Sequence, residues 1–233
     1  MTQLPYKTAL IVGAGPGLGA SLARRLTREG VAVALAARNP SKLQSLAQET
    51  GARSFACDTQ DERQVVRLFE EVDRSIGPPD VVIYNASARA RGPLATLDPA
   101  DVRRALMVNG FGAFVVAQCA ASRMLARGSG AILFTGASAS VKGYPESAPF
   151  AMGKFALRGL AQSMARELAP KGIHVAHFVI DGAIRPPGRG PDLEPPDSML
   201  DPDAIADTYV HVLAQPRSAW TWEVELRPWV ERF

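Results

Sequence analysis

The stretch "GAGPGLGASLARRL", residues 13–26, decides the fold class of this 233-residue chain. It follows directly on the apolar run "KTALIV" at 7–12 and passes into an amphipathic segment of helical length. Gly13, Gly17 and Gly19 are spaced GxxxGxG, and a turn without side chains lets phosphates approach the N–H groups and positive dipole of the following helix. The pattern predicts a strand, a phosphate-binding turn and a helix. An ordinary tight turn is the alternative, and the flanking strand and helix count against it.

Apolar runs of strand length alternate with amphipathic stretches along the rest of the chain, which is typical of repeated βαβ units around a parallel sheet. Seven strands are predicted, at 7–12, 31–36, 52–57, 80–85, 130–135, 173–180 and 219–226. The last run alternates with period two, placing Trp220, Trp222, Val224 and Leu226 on one face. Since no linker divides the chain, we expect a single α/β domain over residues 1–233.

Composition narrows the class of protein. The chain is 47% hydrophobic and 21% charged, and its 26 basic and 23 acidic side chains are spread along it, so neither disorder nor a nucleic-acid-binding face is expected. The N-terminus has no signal-peptide pattern, and no apolar run approaches the roughly 20 residues that span a bilayer. Two cysteines without CxxC or histidine spacing predict free thiols and no metal site. We expect a cytoplasmic protein without membrane or nucleic-acid partners.

One segment departs from this regular pattern. The stretch "RPPGRGPDLEPPDSMLDP" at 185–202 contains six prolines, which exclude a helix or a central strand. A loop of this length inside an α/β domain is more often a binding element than a plain connection. We predict that it covers a substrate, and a surface excursion without a binding role is the alternative.

Taken together, these motifs resemble the short-chain dehydrogenase/reductase family, from about residue 7 to the end of the chain. The family's GxxxGxG turn is matched by Gly13, Gly17 and Gly19, its acidic residue after the third strand by Asp58, and its NNAG motif by "YNAS" at 84–87. Its helix-borne asparagine is matched by Asn109 and the lysine of its YxxxK motif by Lys154. The resemblance implies a doubly wound Rossmann sheet of seven parallel strands in the order 3-2-1-4-5-6-7.

The resemblance also implies which residues contact a dinucleotide. They belong to the glycine-rich turn, the ends of the third and fourth strands, the lysine of the motif and the turn after the sixth strand: Gly13, Gly15, Pro16, Gly17, Leu18, Gly19, Asp58, Asn85, Ala86, Ser87, Lys154 and Ile184. Two positions depart from the family pattern. Ser87 replaces the glycine of NNAG, and Asp181 replaces the proline of the Pro-Gly turn after the sixth strand.

The end of the second strand bears on the choice of cofactor. Ala37 stands where an acid would bind the ribose of NAD, and Arg38 follows it. An acid there would repel a 2′-phosphate, whereas an arginine would hold it with charge-assisted hydrogen bonds. We therefore expect NADP(H) as the cofactor. The alternative for Arg38 is a surface arginine at a strand end.

The catalytic positions are where the chain departs most from the family. In "FAMGK", Phe150 precedes Lys154 by one helical turn and stands where the family has a tyrosine that donates a proton. Ala137 falls at the position of the family's serine. Ser138 is next to it and is expected to point to the opposite side, and a small slip in the loop that brings it into the site is the alternative. Tyr144 and Asp181 are alternative donors, although neither has helical spacing to Lys154. For Tyr144 a role lining the pocket is favoured over proton donation.

Two functions are compatible with these residues. The first is an NADP(H)-dependent oxidoreductase with an altered catalytic site, acting on an unidentified carbonyl, alcohol or activated C=C substrate. The second is a non-catalytic NADP(H)-binding protein with a sensing or assembly role. The resemblance also implies a homodimer or homotetramer, because in the family the helix after residue 147 packs against its copy in another subunit. Its small residues, Ala151, Gly153, Ala156 and Gly159, would permit this close approach, and an ordinary contact within the chain is the alternative. All three tryptophans lie in the last fourteen residues, which predicts core packing and a subunit contact there.

Overall fold

The computed structural model describes residues 4–190 and 195–231. Within them the chain forms one seven-stranded sheet in the order β3-β2-β1-β4-β5-β6-β7, and every neighbouring pair is parallel. The strands are β1 (Thr8–Val12), β2 (Ala32–Ala37), β3 (Arg53–Ala56), β4 (Val81–Tyr84), β5 (Gly130–Thr135), β6 (Ile173–Ile180) and β7 (Glu223–Leu226). The predicted fold class and strand order are confirmed.

Helices cover both faces of this sheet. They are α1 (Leu18–Arg28), α2 (Gln44–Thr50), α3 (Glu62–Ile76), α4 (Pro99–Leu106), α5 (Gly112–Arg127), α6 (Ala148–Leu168) and α7 (Pro202–Leu213). One core cluster joins α1 and α7 to one face of the sheet, and a second joins α3, α5 and α6 to the other. The central strands are buried on both faces, which explains why their sequences are continuously apolar rather than alternating.

The strand order reverses between β1 and β4. From β1 the chain moves outward to β2 and then β3, and it returns to the other side of β1 to form β4. In doubly wound sheets ligands bind in the crevice outside the carboxyl ends of the strands at such a reversal. The glycine-rich turn after β1 and the segment after β4 both lie at this point.

The C-terminal strand is shorter than its sequence pattern predicts. Only Glu223–Leu226 pairs with β6, whereas Arg217–Ala219 forms a 3-10 turn. Trp220 is apolar for a reason other than strand pairing. Its indole stacks on His174, with 4.6 Å between the ring centroids, and donates a hydrogen bond to the Gln215 carbonyl. A packed tryptophan outside the strand therefore gives the same apolar-polar alternation in the sequence as a strand would. The other six strands match their predicted ends to within one residue.

The predicted loop at 185–202 has a defined base. Ile184 and Leu200 form an isolated parallel bridge, and Arg185 makes an ion pair with Asp201 at 2.8 Å. Pro202 is the first residue of α7 rather than the last of the loop, with Asp201 capping that helix. Residues 191–194 lie outside the described residues, so the structure shows only the two arms of the loop, residues 185–190 and 195–201.

Helices α4 and α5 are joined by a π-helical turn, Met107–Phe111, into a continuous helix Pro99–Arg127. By length and mean hydropathy this is the one helix among the described residues that qualifies as a membrane span, and 50% of its most apolar window is buried in the fold. The expectation of no such run is therefore wrong on this measure, because no charged side chain interrupts residues 105–122. The buried core helices of soluble proteins in general meet the same criterion.

Candidate functional site

The turn after β1 is tied closely to the end of β4. Gly13 has a φ of +85°, and a Cβ placed there would lie 2.3 Å from the backbone nitrogen of Ala86. The Asn85 side chain donates a hydrogen bond to the Gly13 carbonyl at 2.9 Å. Gly13 is therefore required both for its backbone conformation and for this close approach.

The N-terminus of α1 opens from the same turn. Gly17 caps the helix without a side-chain hydrogen bond, and the first turn contains no acidic residue. A Cβ added at Gly15 or Gly17 would meet no atom within 4 Å. Free N–H groups, a positive helix end and open space are the features that a pyrophosphate requires. The turn therefore fits the dinucleotide that the sequence predicts.

A cleft of about 700 Å³ extends from this turn across the carboxyl ends of the strands. Eight of the predicted cofactor residues line it: Gly13, Gly15, Pro16, Arg38, Asp58, Asn85, Ala86 and Ser87. Five others do not: Gly17, Leu18, Gly19, Lys154 and Ile184. Leu18 and Gly19 are buried in the first turn of α1, where Gly19 packs on the Ala14 backbone, and Ile184 packs on the core and bridges to Leu200.

One corner of the cleft carries a second basic residue besides the predicted Arg38. Arg38 is exposed there, and Lys42 also lines the cleft. Asn39 accepts a hydrogen bond from the backbone of Ser41 at 3.1 Å, which caps the short turn Pro40–Leu43 that carries Lys42. An Asn-Pro pair in a sequence is a signal for the start of a helical turn, and here that signal points to Lys42 in the turn that follows.

Lys154 is buried next to Phe150. Its Nζ donates a hydrogen bond to the Thr135 carbonyl at 2.8 Å, and burial, followed by the nearby charge of Arg89, lowers its pKa to about 7. The helix that carries it is fixed by Arg158, whose guanidinium makes two hydrogen bonds to Glu223 at 2.6 and 2.8 Å. The lysine is thus held in a set position, with its charge only partly retained near neutral pH.

Phe150 lies beside Lys154, as the one-turn spacing predicts. The Lys154 Nζ is 5.7 Å from the centroid of the Phe150 ring. The ring is 7% exposed and packs with Ala137 and Ala139 in a small apolar cluster. Phe150 and Ala137 both line a second cavity of about 370 Å³. No hydroxyl comes from either position, so the acid must come from elsewhere if the site reduces a carbonyl.

Ser138 also lines the second cavity, which corrects the expectation that it points to the opposite side. That expectation assumed a continuing strand, but β5 ends at Thr135 and Ser138–Ser140 forms a 3-10 turn. Ser140 is fully buried, and its Oγ accepts a hydrogen bond from the Ala137 backbone. Of these two serines, Ser138 therefore has the free access to the cavity.

Two further candidate donors border the same cavity. Tyr144 lines it and is 44% exposed. Asp181 is 4% exposed and makes ion pairs with Lys142 at 3.2 Å and Arg227 at 3.3 Å. These contacts give Asp181 a role in fixing the segment after β6 to its neighbours.

Asn109 lies in the π-helical turn and is fully buried. Its side chain pairs with the backbone of Ala88, donating to the carbonyl at 2.7 Å and accepting from the N–H at 3.1 Å. A Cβ on Gly153 would lie only 2.7 Å from the Cβ of Asn109. Asn109 therefore fixes the segment after β4, and Gly153 makes room for it inside the subunit, which corrects its assignment to a subunit contact.

A model of a known protein family matches the part of the chain that contains the glycine-rich turn and the catalytic positions. Residues 7–187 match the model described as short chain dehydrogenase, which is more than half of the chain. The chain belongs to the short-chain dehydrogenase family. The matched segment includes the glycine-rich turn, Asn109, Phe150 and Lys154.

Related short-chain dehydrogenases support this assignment. An uncharacterized oxidoreductase of Staphylococcus aureus strain N315 is 28% identical over 98% of this chain and 100% of its own length. A short-chain dehydrogenase from Rhodopseudomonas palustris has a solved structure that is 36% identical, with a TM-score of 0.83 over 96% of this chain and 99% of that chain. A metagenomic short-chain oxidoreductase in complex with NADP is 28% identical, with a TM-score of 0.83 over 95% and 97% of the two chains.

Proposed function

We propose that the protein is an NADP(H)-dependent oxidoreductase with an altered catalytic site. The observation that carries the proposal is the basic corner of the cleft, where Arg38 and Lys42 flank the end of β2 and no acid takes the place of Ala37. Two cations suit a 2′-phosphate, which an acid would repel. The structural relative described in complex with NADP supports the same choice.

In this proposal the cofactor supplies or accepts a hydride, and the residues of the chain position it. As the family resemblance implies, the N-terminus of α1 would bind the pyrophosphate, Asp58 would contact the adenine side, and Lys154 would bind the nicotinamide ribose. The backbone of Ile184 would contact the carboxamide. The cleft and the second cavity share Arg89 in their walls, so a substrate in the smaller cavity would lie next to the cleft.

The substrate is a carbonyl compound, an alcohol or an activated C=C compound. Phe150 has no proton to give, so the hydroxyls of Ser138 and Tyr144 are the candidate donors that line the smaller cavity. A missing general acid costs about 10² to 10⁴ in rate. The reaction is therefore slow unless one of these hydroxyls has taken over.

The second candidate function is a non-catalytic NADP(H)-binding protein. The specific observation in its favour is the apolar cluster of Phe150, Ala137 and Ala139 at the position of chemistry. Turnover distinguishes the two functions, because both require the same cofactor affinity.

We also propose a cytoplasmic homodimer or homotetramer with a small-molecule substrate and without nucleic-acid or membrane partners. Exposed apolar side chains on α5 and α6 support the oligomer. Met152 is 50% exposed, Phe155 46% and Phe114 44%, and Ala156 and Gly159 leave the backbone of α6 accessible beside them. An apolar patch of this kind is typical of a subunit contact.

Titration calorimetry with both nucleotides tests the proposed cofactor. NADPH should bind at least about tenfold more tightly than NADH, and Arg38→Asp should narrow or reverse the preference because it replaces an attractive charge with a repulsive one. Arg74→Asp is the matched control, since Arg74 is exposed on α3 and lines neither cavity. Equal affinities in the unmodified protein would contradict the assignment of Arg38.

A further inference from the structure

Arg89 lies at the junction of the two cavities. It lines both the cofactor cleft and the smaller cavity, and its Cζ is 4.1 Å from the centroid of the Phe150 ring. Stacking on an aromatic face fixes the plane of a guanidinium and leaves its N–H groups free at the edge. Where the family resemblance places a phenol, this chain presents an oriented cation.

Arg89 has no acidic partner among residues 4–190 and 195–231. Within the described residues no carboxylate lies at ion-pair distance from it. Its pKa is lowered by partial burial and then by Arg91, and Arg89 in turn lowers the pKa of Lys154. Three basic side chains thus share this end of the site, and a bound anion would relieve their mutual repulsion.

The acidic residues of the smaller cavity do not line the cofactor cleft. They are Glu146, Asp181 and Glu231, and Asp181 is already paired with Lys142 and Arg227. Among the described residues that line the two cavities, Arg89 is the one that borders both. It therefore places a positive charge at the junction, where a reacting group would lie.

We propose that Arg89 determines substrate specificity by binding a carboxylate, so that the substrates are small oxo acids or hydroxy acids. A guanidinium and a carboxylate form two parallel hydrogen bonds, which would orient the neighbouring carbonyl or alcohol toward the cleft. A cavity of about 370 Å³ accommodates a ligand of this size. This proposal rests on the proposed oxidoreductase function.

Binding of benzoate and of benzamide, measured by calorimetry on the full chain with and without NADP⁺, tests the proposal. The two probes have nearly the same shape, and only benzoate carries the charge. Arg89→Gln should weaken benzoate binding by about tenfold or more, change benzamide affinity by less than about twofold, and weaken NADPH binding less than it weakens benzoate binding. Arg74→Gln, an exposed arginine outside both cavities, should leave all three affinities unchanged.

A second variant tests the stacked geometry. Phe150→Leu removes the ring and keeps an apolar side chain, so benzoate affinity should fall by about threefold to tenfold while benzamide binding changes little. Arg89→Lys keeps the charge and loses the planar fork, so it should restore only part of the benzoate affinity that Arg89→Gln loses. Circular dichroism establishes that each variant is folded.

Three results would overturn the proposal. The first is equal affinity of the unmodified protein for benzoate and benzamide. The second is no change in benzoate binding in Arg89→Gln. The third is a loss of NADPH affinity in Arg89→Gln with benzoate unaffected, which would assign Arg89 to the cofactor phosphates. If instead NADPH does not bind at all but benzoate recognition depends on Arg89, the carboxylate site stands and the proposed function fails.

Discussion

The sequence predicts that Phe150 and Lys154 lie close together, and the structure adds Arg89 to this pair. Residues four apart on a helix share a face, so their proximity follows from spacing alone. Arg89 could not be found in this way, because it comes from the irregular segment after β4, whose path depends on Asn109 more than 20 residues later. Local periodicity carries no information about such a contact.

Restoring the two family hydroxyls tests whether the site is otherwise complete. In Phe150→Tyr combined with Ala137→Ser, the phenol and the serine would both face the smaller cavity, which both positions line. NADPH-dependent reduction of diketones and quinones should rise by about 10² or more, the usual contribution of a positioned acid. The unmodified protein should be slow on the same substrates, as followed by NADPH absorbance.

The outcomes separate three interpretations. Brisk turnover by the unmodified protein would show that Ser138 or Tyr144 already supplies the proton. Ser138→Ala and Tyr144→Phe would then identify which of them acts. No gain in the double variant, with NADPH binding intact, would favour the non-catalytic function.

Lys154 should make cofactor binding depend on pH. With a pKa of about 7 in the unliganded protein, Lys154 is mostly neutral above that pH, and the negative charge of a bound dinucleotide should raise the pKa and draw a proton to it. Binding at about pH 8 should therefore take up a proton, and affinity should fall as pH rises above 7. Below that pH the amine is already charged, and this contribution is constant.

Calorimetry in two buffers of different ionisation enthalpy measures this uptake directly. Lys154→Met should abolish it while keeping the apolar stem of the side chain. Proton uptake of the same size in Lys154→Met would contradict the assignment, since another group would then be responsible.

At the scale of the elements, α6 and the π-helical turn are fitted to each other through a missing side chain. Gly153→Ala should destabilise the protein by roughly 2 kcal/mol, because the new Cβ would lie 2.7 Å from Asn109 and force the two elements apart. Asn109 fixes the segment after β4, so cofactor affinity should weaken as well. Urea unfolding monitored by circular dichroism measures the first effect.

Gly159→Ala is the matched control in the same helix. No atom lies within 4 Å of a Cβ at that position. Replacing an interior helical glycine by alanine then stabilises the single subunit by up to about 1 kcal/mol, so the comparison is made with Met152→Glu and Phe155→Glu present to remove the proposed subunit contact. If Gly153→Ala and Gly159→Ala had the same effect, the close packing of Gly153 on Asn109 would not be important for stability.

The elements also show where sequence patterns mislead. Six strands are predicted well because each of their apolar runs has a glycine or an asparagine on at least one side, and burial of the central strands on both faces leaves few alternatives there. The seventh fails at residues 219–222, since a stacked tryptophan gives the same alternation as a pleated strand. Alternation records which side chains are buried, and it does not record what covers them.

At the scale of the molecule, family motifs predict the fold because they lie together at the carboxyl ends of the strands of one sheet. Turns after β1, β2, β3 and β4 converge on the same crevice, so eight predicted cofactor residues meet although they are far apart in sequence. The lining of the smaller cavity was less accessible to prediction. It depends on the 3-10 turn after β5 and on the segment after β6, whose conformations no period encodes.

The assembled protein should be a dimer or tetramer. Light scattering at micromolar concentration measures the molar mass, and Phe155→Glu combined with Met152→Glu should shift it toward the monomer by placing charges in an apolar contact. Val66→Glu is the matched control, because Val66 is 47% exposed on α3, a helix that contributes none of the side chains named for that patch. A monomeric unmodified protein would contradict the expectation.

The bridge between Ile184 and Leu200 separates two parts of the protein that evolution can change at different speeds. It closes the proline-rich loop at its base, so the sheet and α7 are held together whatever lies between the two arms. Doubling the length of a closed loop costs only about 0.6 kcal/mol. Insertions and exchanges distal to the bridge should therefore leave the fold intact, and the loop can change in length and sequence while the chain keeps its nucleotide site.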